Sequence, residues 1–287
     1  MHIPGELGCV DIELTGRGTT WVRIGGHGTR PVVLLHGWTA TADLNWGTSY
    51  PALAARYHVI APDLRGHGRG LRTRQPFDLE TVAADVAALL DLLAPGPVLV
   101  AGYSMGGAVA QLLWRERPDL VDGLVLCATA ATFNGTSRER TLFGVLNGLS
   151  VVAPAFPARV RSTAALRIMA GRTGRSVGVL GRSDLARHDW VQVARAGRSL
   201  GRHDARPWIG RIDRPTAVVA TIRDEVVPPH RQLDLAGRIH GATVHPVAGG
   251  HSVVLNGPER FVPQLLAALA SVEQRSGPRR GLAPVAR

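Results

Sequence analysis

The sequence contains no lysine: all 33 basic residues among its 287 are arginines, and the formal net charge is +11. Clustered cations can bind nucleic acid, because they contact phosphates and release counterions. Here the arginines are spread along the chain, with one local excess of thirteen arginines against four acidic residues in 132–209. This distribution favours a composition bias, as in a GC-rich genome, and we predict no nucleic-acid partner.

Cysteines and long apolar runs are also scarce. Cys9 and Cys127 lie far apart in the sequence, which favours two free thiols in a reducing compartment over a disulfide. No apolar run approaches the roughly 20 residues of a transmembrane helix. Residues Met1–Glu6 lack the charged and apolar regions of a signal peptide. We therefore expect a cytoplasmic protein with no integral membrane span.

The remaining composition is that of a folded protein. With 287 residues, 45% of them hydrophobic, the chain is long enough to bury a full core. This excludes a disordered chain and suits one large domain, or one domain with an insertion.

Two kinds of strand pattern follow one another. Gly8–Leu14 and Thr20–Gly25 alternate around the turn-rich segment Thr15–Gly18, which predicts an antiparallel hairpin. The later apolar runs are continuous, as in strands of a parallel sheet that are buried on both faces. These runs are Pro31–Leu35, His58–Ala61, Val98–Ala101, Gly123–Ala128, Thr216–Ala220 and Thr243–Val247.

Helical patterns separate these runs, and the clearest is Leu79–Leu93, with apolar residues at 3.6-residue spacing. The alternation predicts an α/β fold with a doubly wound, mostly parallel sheet. It stops within 132–209, where short helical stretches such as Arg161–Ala170 and Ser183–Ala196 predict a helical cap insertion. We assign 1–131 and 210–275 to the core, 132–209 to the cap, and 276–287 to a disordered tail.

A candidate nucleophile stands in Gly102–Gly107, whose sequence is Gly-Tyr-Ser-Met-Gly-Gly. The segment follows the predicted strand Val98–Ala101 and precedes a helical pattern, Ala108–Arg117. That context is required of a nucleophile elbow, where a serine sits at a strained strand-to-helix turn between small residues. We therefore predict that Ser104 is a catalytic nucleophile.

A serine nucleophile needs a histidine base and an acid that orients it. His251 lies in a glycine-rich loop after the last apolar strand, and Asp224 follows Thr216–Ala220. Both therefore fall at the carboxyl edge of a parallel sheet, where Ser104 is also expected. Glu225 is the immediate alternative to Asp224, whereas Asp213 precedes its strand and falls at the opposite edge. The order Ser, Asp, His is that of the α/β-hydrolase arrangement.

Two backbone amides are candidates for an oxyanion hole: that of Met105, after the nucleophile, and that of Trp38, in the loop after Pro31–Leu35. His36 and the segment Asp63–Gly68 hold further polar residues, but no pair has helical ligand spacing or a nearby cysteine. We expect these residues to support the active-site loops. No metal and no cofactor is predicted.

Together these motifs make the chain resemble the α/β-hydrolase fold superfamily, in its serine branch of esterase-like and haloperoxidase-like enzymes, over residues 10–272. Four blocks carry the resemblance: His36–Trp38, Asp63–Gly68, Gly102–Gly107, and Asp224–Pro228 with Gly250–His251. Haloalkane dehalogenases and epoxide hydrolases of this superfamily carry an aspartate at the elbow, so Ser104 argues against both.

The resemblance implies a serine hydrolase that cleaves a carboxylic ester or thioester of a small molecule through an acyl-enzyme. C–C bond hydrolysis, acyl transfer or perhydrolysis on the same triad is the alternative, and a non-catalytic ligand-binding protein is the remote one. The cap arginines suggest the hypothesis of an anionic substrate. We expect the cap aromatics to line or roof the pocket; they are Phe133, Phe143, Phe156, Trp190 and Trp208. No substrate-binding residue and no oligomeric state is predicted.

Overall fold

A computed structural model describes residues 7–73, 77–94, 96–135 and 184–276, with eight single positions between 141 and 163. Its centre is an eight-stranded sheet in the order β1-β2-β4-β3-β5-β6-β7-β8. The strands are β1 Gly8–Leu14, β2 Gly18–Gly25, β3 Pro31–Leu35, β4 His58–Pro62, β5 Val98–Tyr103, β6 Val121–Cys127, β7 Thr216–Thr221 and β8 Thr243–Val247. The doubly wound, mostly parallel sheet predicted from the sequence is confirmed.

The antiparallel part of the sheet is confined to its N-terminal edge. β1 pairs with β2 as the predicted hairpin, from Gly8 opposite Ile24 to Leu14 opposite Gly18. β2 also runs antiparallel to β4, and all the remaining neighbours are parallel. The carboxyl ends of β5 to β8 therefore share one edge of the sheet.

Helices cover both faces of the sheet. They are α1 Ala42–Trp46, α2 Tyr50–Ala54, α3 Leu79–Leu93, α4 Met105–Glu116, α5 Trp190–Leu200, α6 Pro229–Arg238, α7 Val253–Asn256 and α8 Pro258–Arg275. Successive residues of a strand point to opposite faces. Accordingly, Val33 and Leu35 of β3 pack with the apolar residues of α3 and α4, whereas Val32 and Leu34 pack with those of α8.

The inner strands are buried on both faces, but β8 is not. All residues of β3, β5 and β7 are buried, as their continuous apolar runs predict. In β8 the exposure alternates, and Val244 is 41% exposed. The uniform burial expected for Thr243–Val247 is therefore wrong, because β8 is an edge strand with one neighbour.

Part of the predicted cap is described by the structure. Within the stretch Ser183–Ala196, for which the sequence predicts a helix, residues 184–186 are helical and 187–189 interrupt the helix. Helix α5 begins at Trp190, where the carboxylate of Asp189 accepts hydrogen bonds from the first-turn amides, and it ends at Leu200. The stretch Arg161–Ala170 lies outside the described residues apart from Thr163, and residues 277–287 lie outside them entirely. The division into core, cap and tail stays a prediction.

Two further observations concern the described residues. Cys9 is exposed, Cys127 is buried, and both are free thiols. None of the described helices is long and apolar enough to cross a membrane.

Candidate active site

Ser104 lies alone between β5, which ends at Tyr103, and α4, which begins at Met105. Its backbone angles are φ 53° and ψ −114°, a strained conformation for a residue with a side chain. Helix α4 begins three residues earlier than predicted, directly after Ser104. The serine is thus held at the N-terminus of a helix, where partial positive charge accumulates.

The glycines around Ser104 are required by close backbone approach. A Cβ at Gly102 would overlap the carbonyl of Gly106, and a Cβ at Gly106 would overlap the carbonyl of Leu35. Any larger residue would therefore push β5, β3 and α4 apart, so the small residues of the motif are a packing condition of the turn.

His251 connects the serine to an acid. Its Nε2 lies 3.0 Å from Ser104 Oγ, and its Nδ1 lies 2.8 Å from Asp224 Oδ2. With the ring proton on Nδ1 facing the carboxylate, Nε2 is free to accept the serine hydroxyl proton. The three side chains come from the carboxyl ends of β5, β7 and β8, as their places after those strands predict.

Asp224 is held by its own loop. Its Oδ1 accepts hydrogen bonds from the amides of Val226 (2.8 Å) and Val227 (2.9 Å), and its Oδ2 accepts one from the Thr221 hydroxyl at 2.7 Å. Burial by itself raises the pKa of the Asp224 carboxyl, but the hydrogen bond and positive charge of His251, together with these donors, hold that pKa below its ordinary value.

The two alternative acids lie elsewhere. Glu225 is exposed, and none of its contacts among the described residues is with His251. Asp213 precedes β7 and accepts a hydrogen bond from the indole of Trp114 at 3.1 Å. Of the acids that the sequence left open, the structure brings only Asp224 to the histidine.

The loop after β3 adjoins the serine. A Cβ built on Gly37 would lie 3.5 Å from the Cβ of Ser104. The amide of Gly37 donates to Asn45 Oδ1 at 3.0 Å, so it is already occupied. Within the described part of the chain, the amides of Trp38 and Met105 donate no hydrogen bond. These two N–H groups are therefore without an acceptor among the described residues.

His36 connects the loop after β3 with the loop after β4. With its proton on Nδ1, it donates to the carbonyl of Gly37 at 2.8 Å, while Nε2 accepts from the Leu64 amide at 2.9 Å. Burial lowers the pKa of His36 to about 3, so the ring stays neutral. Through both ring nitrogens, His36 links the loop after β3 to the loop after β4.

Asp63 anchors the loop after β4. It accepts hydrogen bonds from the amides of Ala42 and Arg69, both at 2.8 Å. Burial raises the pKa of its carboxyl to about 6, although the two amides and the Arg69 charge work in the opposite direction. No cluster of His, Cys, Asp or Glu that could hold a metal occurs within the described ranges.

Several supporting residues carry no sequence signal. The Tyr103 hydroxyl donates to the carbonyl of His251 at 2.6 Å. Gln232, on α6, donates to the Val227 carbonyl at 2.7 Å and to the Thr221 hydroxyl at 2.8 Å. In the sequence, Gln232 is marked only by its place on the same side of α6 as Leu235 and Ala236. That position does not indicate which groups it contacts.

The cap aromatics occupy different places. Trp208 stacks on Trp114 of α4, with ring centroids 6.4 Å apart, and lines a groove that includes none of the triad residues. Phe133 packs on His203 at 6.2 Å, and Trp190 packs on His188 at 5.2 Å. Phe143 and Phe156, also expected at the pocket, lie outside the described residues.

Comparison with known proteins identifies the family. A family model described as the alpha/beta hydrolase fold matches residues 30–170. The pimeloyl-[acyl-carrier protein] methyl ester esterase of Neisseria meningitidis serogroup B is 33% identical over 225 residues, which are 74% of this chain and 82% of that protein. The chain belongs to the α/β-hydrolase fold family, and it has esterase-type relatives.

Two further similarities are of different extent. The dihydrolipoyllysine-residue acetyltransferase component of the acetoin cleaving system of Pseudomonas putida is 42% identical over 118 residues, and the match spans 41% of this chain and 32% of that longer protein. The structure of a thermophilic esterase from Thermogutta terrifontis, with malate bound, superposes with a TM-score of 0.71 at 25% identity, covering 92% of this chain and 99% of that one.

Proposed function

We propose that this protein is a serine hydrolase that cleaves a carboxylic ester or thioester through an acyl-enzyme, with Ser104 as nucleophile. The observation that carries the proposal is the unbroken hydrogen-bonded chain from Ser104 through His251 to Asp224, at 3.0 and 2.8 Å. The sequence similarity to a methyl ester esterase supports the ester class of substrate.

In the first step Ser104 Oγ attacks the carbonyl carbon of the ester, and His251 Nε2 takes the hydroxyl proton. The carbonyl electrons move to the oxygen, and the amides of Trp38 and Met105 donate hydrogen bonds to that oxyanion. One such donor contributes about 3 to 4 kcal/mol to lowering the barrier in comparable enzymes. When the carbonyl re-forms, the bond to the leaving alcohol or thiol breaks, and His251 protonates it.

In the second step a water molecule attacks the acyl-enzyme and gives its proton to His251. The second tetrahedral intermediate collapses, the bond to Ser104 Oγ breaks, and the histidine returns the proton to the serine. Asp224 does not accept a proton in this scheme. Its carboxylate keeps Nδ1 protonated and stabilises the imidazolium that forms in each step.

Accessibility suits this chemistry. The Asp224 side chain is fully buried, whereas that of His251 is 23% exposed, and Ser104 is 6% exposed. The acid is therefore shielded from water that would weaken its interaction with the histidine. Of the three residues, His251 is the most exposed.

A fluorophosphonate probe combined with an ester panel tests the proposal. We expect the probe to label the parent protein and Ser271→Ala, a serine substitution far from the triad in sequence, but not Ser104→Ala. p-Nitrophenyl esters with acyl chains of increasing length should be hydrolysed by the two labelled proteins only. Hydrolysis that survives in Ser104→Ala refutes the nucleophile, and folded parent protein that resists the probe favours a binding role.

A further inference from the structure

A groove lies on the face of the molecule that carries α3, α4 and α5, and it has a volume of about 610 Å³. Its apolar wall includes Phe77, before α3, and Trp208, after α5. Four of the eleven other lining residues are arginines. We call this feature the arginine groove.

Four arginines line the arginine groove. Arg195 and Arg198 lie on α5, Arg202 follows two residues after its end, and Arg115 lies on α4. Since a helix has 3.6 residues per turn, positions 195, 198 and 202 fall on one side of α5 and its extension. The cations thus face one cavity from two separate elements.

These arginines have few anionic partners. Among the described residues, Arg195, Arg198 and Arg202 form no ion pair, and Arg198 Nε is buried with no hydrogen-bond partner. A buried donor without a partner is costly, and native structures hold few of them. The negative end of the helix dipole at the last turn of α5 accounts for a cation at Arg198 alone, but not for cations from two elements that face the same cavity.

The acids that line the groove are mostly engaged. Asp78 caps α3 by accepting the Thr81 amide at 2.6 Å, and Asp204 pairs with Arg206 at 2.7 Å. Glu80 is the third acid in the lining. Four arginines against three acids leave the lining of the arginine groove with one positive charge in excess.

Arg115 is partly engaged as well. It pairs with Glu116 at 2.7 Å, and its guanidinium lies 5.2 Å from the ring centroid of Trp208. It therefore joins the charged and aromatic parts of the groove wall, which suits a ligand that has both an anionic and a ring or chain portion.

We propose that the arginine groove is a second binding site, for a small molecule that carries more than one phosphate. Guanidinium groups bind phosphate oxygens in bidentate fashion. The volume lies within the range of small-molecule sites, and the two aromatic rings provide an apolar contact beside the cations. The proposal concerns binding at this groove and does not depend on the function proposed for Ser104.

The arginine groove is separate from the acyl site. Arg115 lies 11 residues after Ser104, along α4, and a rise of 1.5 Å per residue places it about 16 Å from the serine. The phosphates could belong to the distant end of a thioester substrate, such as a coenzyme A derivative, or to a free ligand. The experiment has one arm for each source.

Direct binding is measured by titration calorimetry with inorganic pyrophosphate and with coenzyme A. Full-length Ser104→Ala protein is used, so that no turnover interferes. We expect one site, weakened by added salt as for charge-driven binding. Adding Arg195→Gln with Arg198→Gln should raise Kd about 100-fold, because each of the two lost hydrogen bonds to a charged group is worth about one power of ten.

Two sets of variants serve as controls. Arg56→Gln with Arg211→Gln removes the same charge from exposed positions that do not line the groove, and Kd should not change. Arg195→Lys with Arg198→Lys keeps the charge but loses bidentate geometry, so Kd should rise to an intermediate value. No binding of either probe, or equal loss in the Arg56 and Arg211 control, overturns the proposal.

The second arm uses the intact triad and compares an acyl-coenzyme A with the matching N-acetylcysteamine thioester, which carries no phosphate. If the groove holds the distant end of the substrate, Arg195→Gln with Arg198→Gln raises KM for the coenzyme A thioester alone. Unchanged KM for both thioesters, with pyrophosphate binding lost, identifies a free ligand. Both results support the site, whereas an equal rise in both KM values rejects it as a phosphate site.

Discussion

The indole Nε1–H of Trp38 donates a hydrogen bond to the carbonyl of Val193 at 2.8 Å, which ties the loop beside Ser104 to helix α5. In the same region the Thr41 hydroxyl donates to Asp184 at 3.2 Å. The amide proposed as an oxyanion donor therefore belongs to a residue whose side chain is anchored outside the sheet. The position of that amide is therefore coupled to the position of α5.

Trp38→Phe should lower kcat by up to about 10-fold and change KM little. The variant keeps the backbone amide but loses a hydrogen bond worth about 0.5–1.5 kcal/mol, which loosens a donor needed in the transition state. Steady-state kinetics on an ester measure the effect. Trp190→Phe is the control, since the indole nitrogen of Trp190 has no partner among the described residues; an equal loss of kcat there would contradict the coupling.

Asp224→Asn should reduce kcat about ten-thousand-fold while leaving the fold intact. The amide cannot stabilise the imidazolium and favours the wrong histidine tautomer. Single-turnover kinetics with an activated ester measure the acylation step directly. Glu225→Gln is the matched control at the neighbouring exposed position, and it should change kcat by no more than a factor of about 2. The reverse result would assign the acid to Glu225.

The bounds of the fold could be predicted wherever local pattern and tertiary environment agree. The helix Leu79–Leu93 and the strand Pro31–Leu35 have the predicted bounds. The apolar stripe of the helix and the continuous apolar run of the strand each indicate which residues are buried. The start of α4 was predicted too late, at Ala108. Gly106 and Gly107 have low helix propensity, but the turn at Ser104 requires the helix to begin at once.

The grouping of Ser104, Asp224 and His251 could be predicted because each follows a parallel strand, and the carboxyl ends of those strands lie at one edge of the sheet. The hydrogen bonds that hold the neighbouring loops could not be predicted, because they join residues far apart in the chain. His188 Nδ1 accepts from the Gly68 amide at 2.7 Å, across 120 positions, and no local pattern reports such a contact. Hydrogen bonds of this kind follow from the packing of α5 on the loops, which the sequence does not specify residue by residue.

His188 should make the protein less stable in acid. Burial lowers its pKa to about 4, below the ordinary 6.5, so the folded state favours the neutral ring. Its contribution is fully present above pH 6.5 and is lost as the pH falls towards 4, by about 3 kcal/mol. Urea unfolding across this range should show a shallower loss of unfolding free energy in His188→Gln than in the parent.

Comparing His188→Gln with the parent protein cancels the contributions of the other titrating groups, including His36 and Asp63, to the pH dependence of the unfolding free energy. Glutamine can still accept from Gly68 and donate to the carbonyl of Thr39, which lies 3.3 Å from His188 Nε2, so the variant isolates the titration from the contacts. His240→Gln is a control at an exposed histidine, and its profile should follow that of the parent. Parallel profiles for His188→Gln and the parent would rule out this source of acid sensitivity.

Gly106→Ala should abolish activity and destabilise the fold by several kcal/mol, since the added methyl group overlaps the carbonyls of Leu35 and His36. Both atoms belong to the backbone at the end of β3 and cannot move without displacing the loop that carries Trp38. Overpacking of this kind costs about 1–3 kcal/mol even where side chains can adjust. Thermal unfolding and the fluorophosphonate probe give the two readouts. Gly96→Ala is the control, because an added Cβ there meets nothing within 4 Å, and it should leave the melting temperature and the labelling unchanged. A stable, fully labelled Gly106→Ala protein would show that the turn at Ser104 tolerates a side chain at position 106.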